Sequence, residues 1–191
     1  MQQRQYNNYE DYTKHQAEKT MNSKLRDKLA IRFDADITRF RKHFSILHDY
    51  APVGIRILCM GARTGSEVVA ARQEGFEATG IDLVPCMPLV AKGDFHNIPH
   101  EDESFDCVYC NCVDHVLDFQ KFASEIKRVL KHPGWLLVCL TMHTMGNYEA
   151  TKIETVEEFL EFFPEFEVLY RQSNDKEGSS ERITLVMRIN L

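Results

Sequence analysis

The sequence predicts a doubly wound α/β domain with a sheet of about seven strands, the last antiparallel, behind an N-terminal helical extension. Three patterns carry that expectation. The run from Ile55 to Asp82 reads as a buried strand, a glycine turn, a helix and a second strand closed by an acid. Strand-length apolar runs then alternate with helical patterns as far as Phe163, the arrangement that builds a parallel sheet. Last, Phe166 to Arg171 and Ile183 to Ile189 read as a terminal strand pair. The polar stretch Ser173 to Glu181 between them contains Gly178, as suits an antiparallel hairpin.

Residues 1–22 admit two readings. Tyr6, Tyr9 and Tyr12 recur every three residues and lead into His15, Gln16 and Lys19. A frayed terminus is one reading. A lid is the other, because so many aromatic and hydrogen-bonding groups are unusual in a disordered tail. A single domain then spans 23–191. Leu25, Leu29, Phe33, Ile37, Phe40, Phe44 and Leu47 step by three or four and predict a helix over 23–49 that covers one face or edge of the sheet. Ser23 has the chemistry of its N-cap, and its length leaves room for a break near Asp34 to Asp36.

The α/β core occupies 55–191. Ile55, Ile57 and Leu58 open it, Val68, Val69, Ala71 and Arg72 keep helical spacing, and Ala78 to Ile81 form the second strand. Ala91 to Asp94 ends a third strand, Ser104 to Asn111 is a fourth, and Trp135 to Thr141 a fifth. Helices are expected over Phe119 to Leu130 and around Val156 to Phe163, the latter ended by Pro164. Between Asp82 and Asp94 the stretch LVPCMPLVAKG holds two prolines and is too short for a normal crossover helix.

The chemistry concentrates at Gly61-Ala62-Arg63-Thr64-Gly65. A glycine turn between strand and helix lets backbone approach a ligand, because no Cβ stands in the way. Asp82, at an expected exposed strand end beside that turn, can accept two hydrogen bonds from a ribose diol. This pairing suits an adenosine-containing cofactor, but the G-x-x-x-G spacing is not the G-x-G-x-x-G of dinucleotide sites. The turn resembles the first motif, D/E-x-G-x-G-x-G, of the class I S-adenosylmethionine-dependent methyltransferases. GIDLVP is similar to their second motif, KGDFHNIPHEDESFDCVYCN to their third and fourth, and EIKRVLKHPGWLLVCL to the helix and strand that follow. Cys59 and Ala62 depart from it, at positions read as the family's acid and glycine. GARTG followed by GIDLVP is similar to a small, poorly characterised branch.

The resemblance implies a Rossmann-like fold and S-adenosylmethionine as cofactor. It places Gly61, Ala62, Arg63, Thr64 and Gly65 at the cofactor, with Asp82 and Leu83 at the ribose. Asp94 and Phe95 would meet the adenine, and Asn111 would line the methyl-donor pocket. Tyr12, His15 and Lys19 are expected to supply contacts from the lid, since Cys59 leaves the methionine end short of a partner. His115 and Asp114 are the catalytic candidates, with His115 a general base or else the residue that caps and orients the next helix.

Composition limits the alternatives. With 191 residues, 43% apolar and 27% charged, one soluble domain is expected. The longest apolar run, Trp135 to Leu140, is far short of a membrane span, and the polar start predicts no signal peptide, hence a cytoplasmic protein. Residues 1–48 hold ten Lys/Arg against six Asp/Glu, so the net charge of −6 leaves an acidic body that disfavours nucleic acid. Six cysteines, including Cys107, Cys110 and Cys112, lack a second pair at zinc-site spacing and are expected as small buried hydrophobes; no metal is expected. Met142, His143, Met145, Asn147 and Tyr148 offer surface for a small organic acceptor. The expected activity is O- or N-methyl transfer by a monomer or homodimer. A non-catalytic S-adenosylmethionine-binding protein and, less favoured, a nicotinamide oxidoreductase are the alternatives.

Overall fold

The computed structural model describes residues 1–86, 88–177 and 180–190, with backbone alone for 25, 26 and 174–177. Its elements are β1 (Gln2–Gln3), α1 (Tyr9–Met21), α2 (Ser23–Leu47), β2 (Arg56–Met60), α3 (Ser66–Gln73), β3 (Glu77–Asp82) and β4 (Val90–Lys92). There follow β5 (Phe105–Cys110), a 3-10 turn at Val113–His115, α4 (Phe119–Val129), β6 (Leu130–Thr141), β7 (Thr151–Lys152), α5 (Val156–Leu160), β8 (Phe166–Glu177) and β9 (Ser180–Ile189).

Seven strands form one sheet in the order β4-β3-β2-β5-β6-β9-β8. β2 to β6 run parallel, and β9 lies antiparallel between β6 and β8. The winding direction reverses between β2 and β5, and such a switch point opens a crevice at the carboxyl ends of the strands. Period-two alternation then sends side chains to two cores. Val108 and Cys110 pack with Phe122 and Ile126 of α4 and Phe159 of α5. Cys107 and Tyr109 pack with Phe40 and Phe44 of α2 and Val68 and Ala71 of α3. The expected opposition of Cys107 to Cys110 is what the strand shows, although Cys112 is only half-buried.

Several boundaries differ from expectation for local reasons. β6 begins at Leu130, directly after α4, and β8 and β9 run on as a long hairpin. Gly178 and the Leu25 side chain, both called from sequence, lie outside the described residues. α2 continues unbroken through Asp34 to Asp36. Its N-terminal cap is Asn22 rather than Ser23: the Lys24 N–H donates to Asn22 Oδ1 at 3.1 Å. The short link after Asp82 has no helix among its described residues, and Val90 pairs directly beside Gly80.

The N-terminus is bound to the body. Gln2 and Gln3 pair antiparallel with Lys152 and Thr151, and the Arg4 N–H donates to the Ala150 carbonyl at 2.8 Å. Asn8 then caps α1 by accepting from the Asp11 N–H at 2.9 Å. α2 is anchored by its apolar stripe from Ile37 onward. Phe44, fully buried, sits 4.7 Å from the Tyr109 ring. Phe44→Ala should cost about 3–5 kcal/mol in urea unfolding by leaving a cavity under α2; a loss below about 1 kcal/mol would show that α2 does not anchor the sheet.

Candidate active site

A cavity of about 410 Å³ opens at the switch point, beyond the carboxyl ends of β2, β3 and β5. The turn after β2 forms its floor. Gly61 has φ +67, and a Cβ there would stand 2.2 Å from Cys112 Sγ, so only glycine fits. Counting the motif from Gly61 to Gly65 puts its middle glycine at Arg63, not at Ala62 as expected. Arg63 indeed carries the left-handed strain, at φ 25, while Ala62 is ordinary and buried. Ala62, Arg63 and Thr64 line the cavity. Gly65 does not; its φ of +85 starts α3, against Leu89.

Asp82 is buried, in contrast to the exposed strand end expected. The Arg63 N–H donates to its Oδ2 at 3.1 Å and the Val84 N–H to its Oδ1 at 2.8 Å. Arg63 Nε lies 3.9 Å from the same Oδ2. Each oxygen keeps a second lone pair, so a diol can still be accepted by both. Leu83 and Phe95 line the cavity nearby. Asp94 does not. Its Oδ1 accepts from the His96 N–H at 2.8 Å, and its Oδ2 from the Tyr9 hydroxyl. These bonds outweigh burial and hold its carboxyl below the usual range.

α1 roofs the cavity with Tyr12, Gln16 and Lys19. The fully buried Tyr12 donates its hydroxyl to the His115 carbonyl at 3.0 Å, and Gln16 Nε2 donates to the Tyr148 carbonyl at 2.8 Å. His15 lies off the cavity wall, stacked 5.4 Å from Tyr148 and 2.9 Å from the Tyr6 hydroxyl. The 142–154 loop also differs from expectation. Met142 continues the inward alternation of β6 into the core, and His143 faces Glu154. Met145, Asn147 and Tyr148 leave the lining to Thr144 and Glu149.

Asp114, His115 and Glu149 bring one ligand atom each within 4.8 Å of one another. His115 Nδ1 lies 3.0 Å from the Tyr148 carbonyl, which fixes its proton there and leaves Nε2 to accept from Lys19 Nζ at 3.4 Å. Both ring nitrogens are thus engaged. Burial, then the Lys19 charge, pushes His115 down to about 3, so it is neutral at pH 7. Burial, then Glu149, pushes Asp114 up to about 7. Burial, then Arg63, holds Lys19 below its ordinary value.

Sequence reasoning missed the first turn of α3 and the far wall. Glu67 is buried and borders the cavity beside Asn111, whose Nδ2 is 3.4 Å from Glu67 Oε1. An acid there reads in sequence as a complement to the helix dipole. Across the cavity stand Asp36 and Arg39 of α2, with Thr141, Thr144, Ser180 and Arg182 around the β6–β9 ladder. Thr141 pairs with Arg182 in register, an adjacency between residues 41 positions apart that no local pattern announces.

The fold and part of the sequence are shared with known proteins. Residues 58–138 match the methyltransferase domain family. The chain is 34% identical over 103 residues to the demethylmenaquinone methyltransferase of Tropheryma whipplei (strain Twist), covering 47% of this chain and 43% of that one. It is 35% identical over 94 residues to the norajmaline N-methyltransferase of Rauvolfia serpentina, covering 40% and 32%. The chain thus spans less than half the length of these curated relatives. The Burkholderia thailandensis 1,6-didemethyltoxoflavin-N1-methyltransferase, with 1,6-didemethyltoxoflavin and S-adenosylhomocysteine bound, superposes with TM-score 0.70 at 15% identity, over 87% of this chain and 88% of that one. The family's cofactor is S-adenosylmethionine, and the glycine cradle and the unfilled lone pairs of Asp82 suit its ribose.

The raised Asp114 carboxyl sets a stability trend. Its ionisation is unfavourable in the fold, so the cost is absent below about pH 4 and grows as pH rises towards 7. Asp114→Asn should therefore match the parent in urea melts at pH 4 and exceed it at pH 8, by on the order of 1–4 kcal/mol. Equal stability at both pH values would contradict this.

Proposed function

We propose that this chain transfers a methyl group from S-adenosylmethionine to a small organic acceptor held under α1. The observation that carries the proposal is one cavity lined by the glycine turn, Asp82 and Phe95 together with the polar groups of α1, Asp114, His115 and Glu149. Its size is in the range of small-ligand sites, too small for a folded macromolecule to enter. The relatives support the same class. Two carry the names of methyltransferases acting on demethylmenaquinone and norajmaline, and the structural neighbour holds 1,6-didemethyltoxoflavin.

The cofactor, when bound, supplies an electrophilic methyl with its own leaving group. What remains for the protein is alignment and exclusion of water. Asp82 orients the ribose, and Asn111 and the turn backbone hold the donor end. Asp94, fixed by Tyr9 and His96, ties the roof to the adenine side of the site, and α1 acts as a lid with Tyr12 as its seal. His115, neutral and presenting Nε2, can accept a hydrogen bond from the acceptor and orient it once Lys19 yields that position, with Asp114 beside it. His15 supports the roof through Tyr148.

The alternative is cofactor binding without transfer, favoured by Cys59 and Arg63 standing in place of the family's acid and glycine. Incubating the protein with S-adenosylmethionine and pooled metabolites, and following S-adenosylhomocysteine release, separates the two. The expected result is release above background with at least one pool of small molecules and none with RNA, DNA or protein. Release with macromolecules only would overturn the acceptor class, and binding without release in any pool would favour the alternative.

A further inference from the structure

Glu67 is a buried acid at the head of α3. It projects from the first turn of α3, is 6% exposed, and yet borders the cavity. Ser66 Oγ donates to its Oε2 at 3.1 Å and Asn111 Nδ2 approaches Oε1 at 3.4 Å. Among the described residues, no ion pair includes it. Cys59, the residue at the motif's acid position, is fully buried, and its thiol is raised by burial and then by Glu67. The carboxyl absent from the strand end is therefore present in the same corner, delivered from the helix instead.

A pocket that takes a cationic group needs a nearby anion, because a charge desolvated without a partner is very unfavourable. We propose that the Glu67 carboxylate, positioned by Ser66 and Asn111, receives the ammonium of the cofactor's amino-acid end and so replaces the acid missing at Cys59. This concerns the cofactor end of the site and stands whatever the acceptor proves to be.

The surroundings make the interaction proton-linked. Arg39 of α2 faces Glu67 and favours its ionised form; Cys59 of β2 and Tyr109 of β5, both buried, face it as neutral groups. Burial dominates and pushes Glu67 up to about 7. At pH 7 about half the molecules then carry a proton on Glu67, which an incoming ammonium must displace. Cofactor binding should therefore release up to about half a proton at pH 7 and strengthen as pH rises through that value.

Calorimetry at pH 7 in two buffers of different ionisation enthalpy tests this, with S-adenosylhomocysteine and 5′-methylthioadenosine, which lacks the amino-acid end, as ligands. The full-length parent should release about half a proton with the first ligand and none with the second. Glu67→Gln should abolish that release and weaken S-adenosylhomocysteine about tenfold or more, with methylthioadenosine affinity unchanged within about twofold. Equal proton release with both ligands, release that persists in Glu67→Gln, or equal weakening of both ligands would overturn the proposal. Asp114 lines the same cavity and also sits at about 7, so Asp114→Asn is the control should Glu67→Gln not fold: the release should persist in it, and its loss there would overturn the proposal. Failure of the parent to bind either ligand would contradict the cofactor assignment itself, and with it this inference.

Discussion

The site depends on dehydration of a polar cavity. α1 lies across the carboxyl end of the sheet and removes Tyr12, Gln16 and Lys19 from water together with the groups they touch. Burial is the first cause of the raised carboxyls of Glu67 and Asp114 and of the lowered His115 and Lys19. These four shifts all disfavour charge, so the ionisation of each group responds to a charged ligand. The roof is held by its ends: the β1–β7 ladder at one side and the continuous α2 at the other.

A second constraint links the turn to the neighbouring strand. Asp82 accepts from the Arg63 and Val84 backbone, and Cys86 N–H donates to the Arg63 carbonyl at 2.7 Å. Arg63 takes an unfavourable backbone conformation where the family motif has glycine, and two of these bonds, from its N–H and to its carbonyl, hold it there. The short link after β3 serves this purpose, since a crossover helix would carry Val84 and Cys86 away from the turn. The same carboxylate thus shapes the turn and lines the cavity.

Much of this was legible in sequence because it is local. The strand–turn–helix–strand unit, Asp82, the α2 stripe and the alternation of β5 each follow from local spacing. Met142 was expected on the acceptor surface, and its inward position is the next even-numbered step after Leu136, Val138 and Leu140. What escaped is tertiary. Tyr9 reaches Asp94 across 85 positions, which moves that acid off the cavity wall. Glu67 and Arg182 look like surface charges until the sheet brings them to its switch point. The cysteine at 59 and the glutamate at 67 become one fact only when their side chains are seen in the same corner.

Hydrogen exchange on residues 9–21 of the intact chain, with and without saturating S-adenosylhomocysteine, tests most directly the claim that α1 closes a cofactor cavity. The account requires these amides to gain protection on binding by roughly tenfold or more, together with the turn at 61–65. Protection confined to the turn, with α1 unchanged, would contradict it.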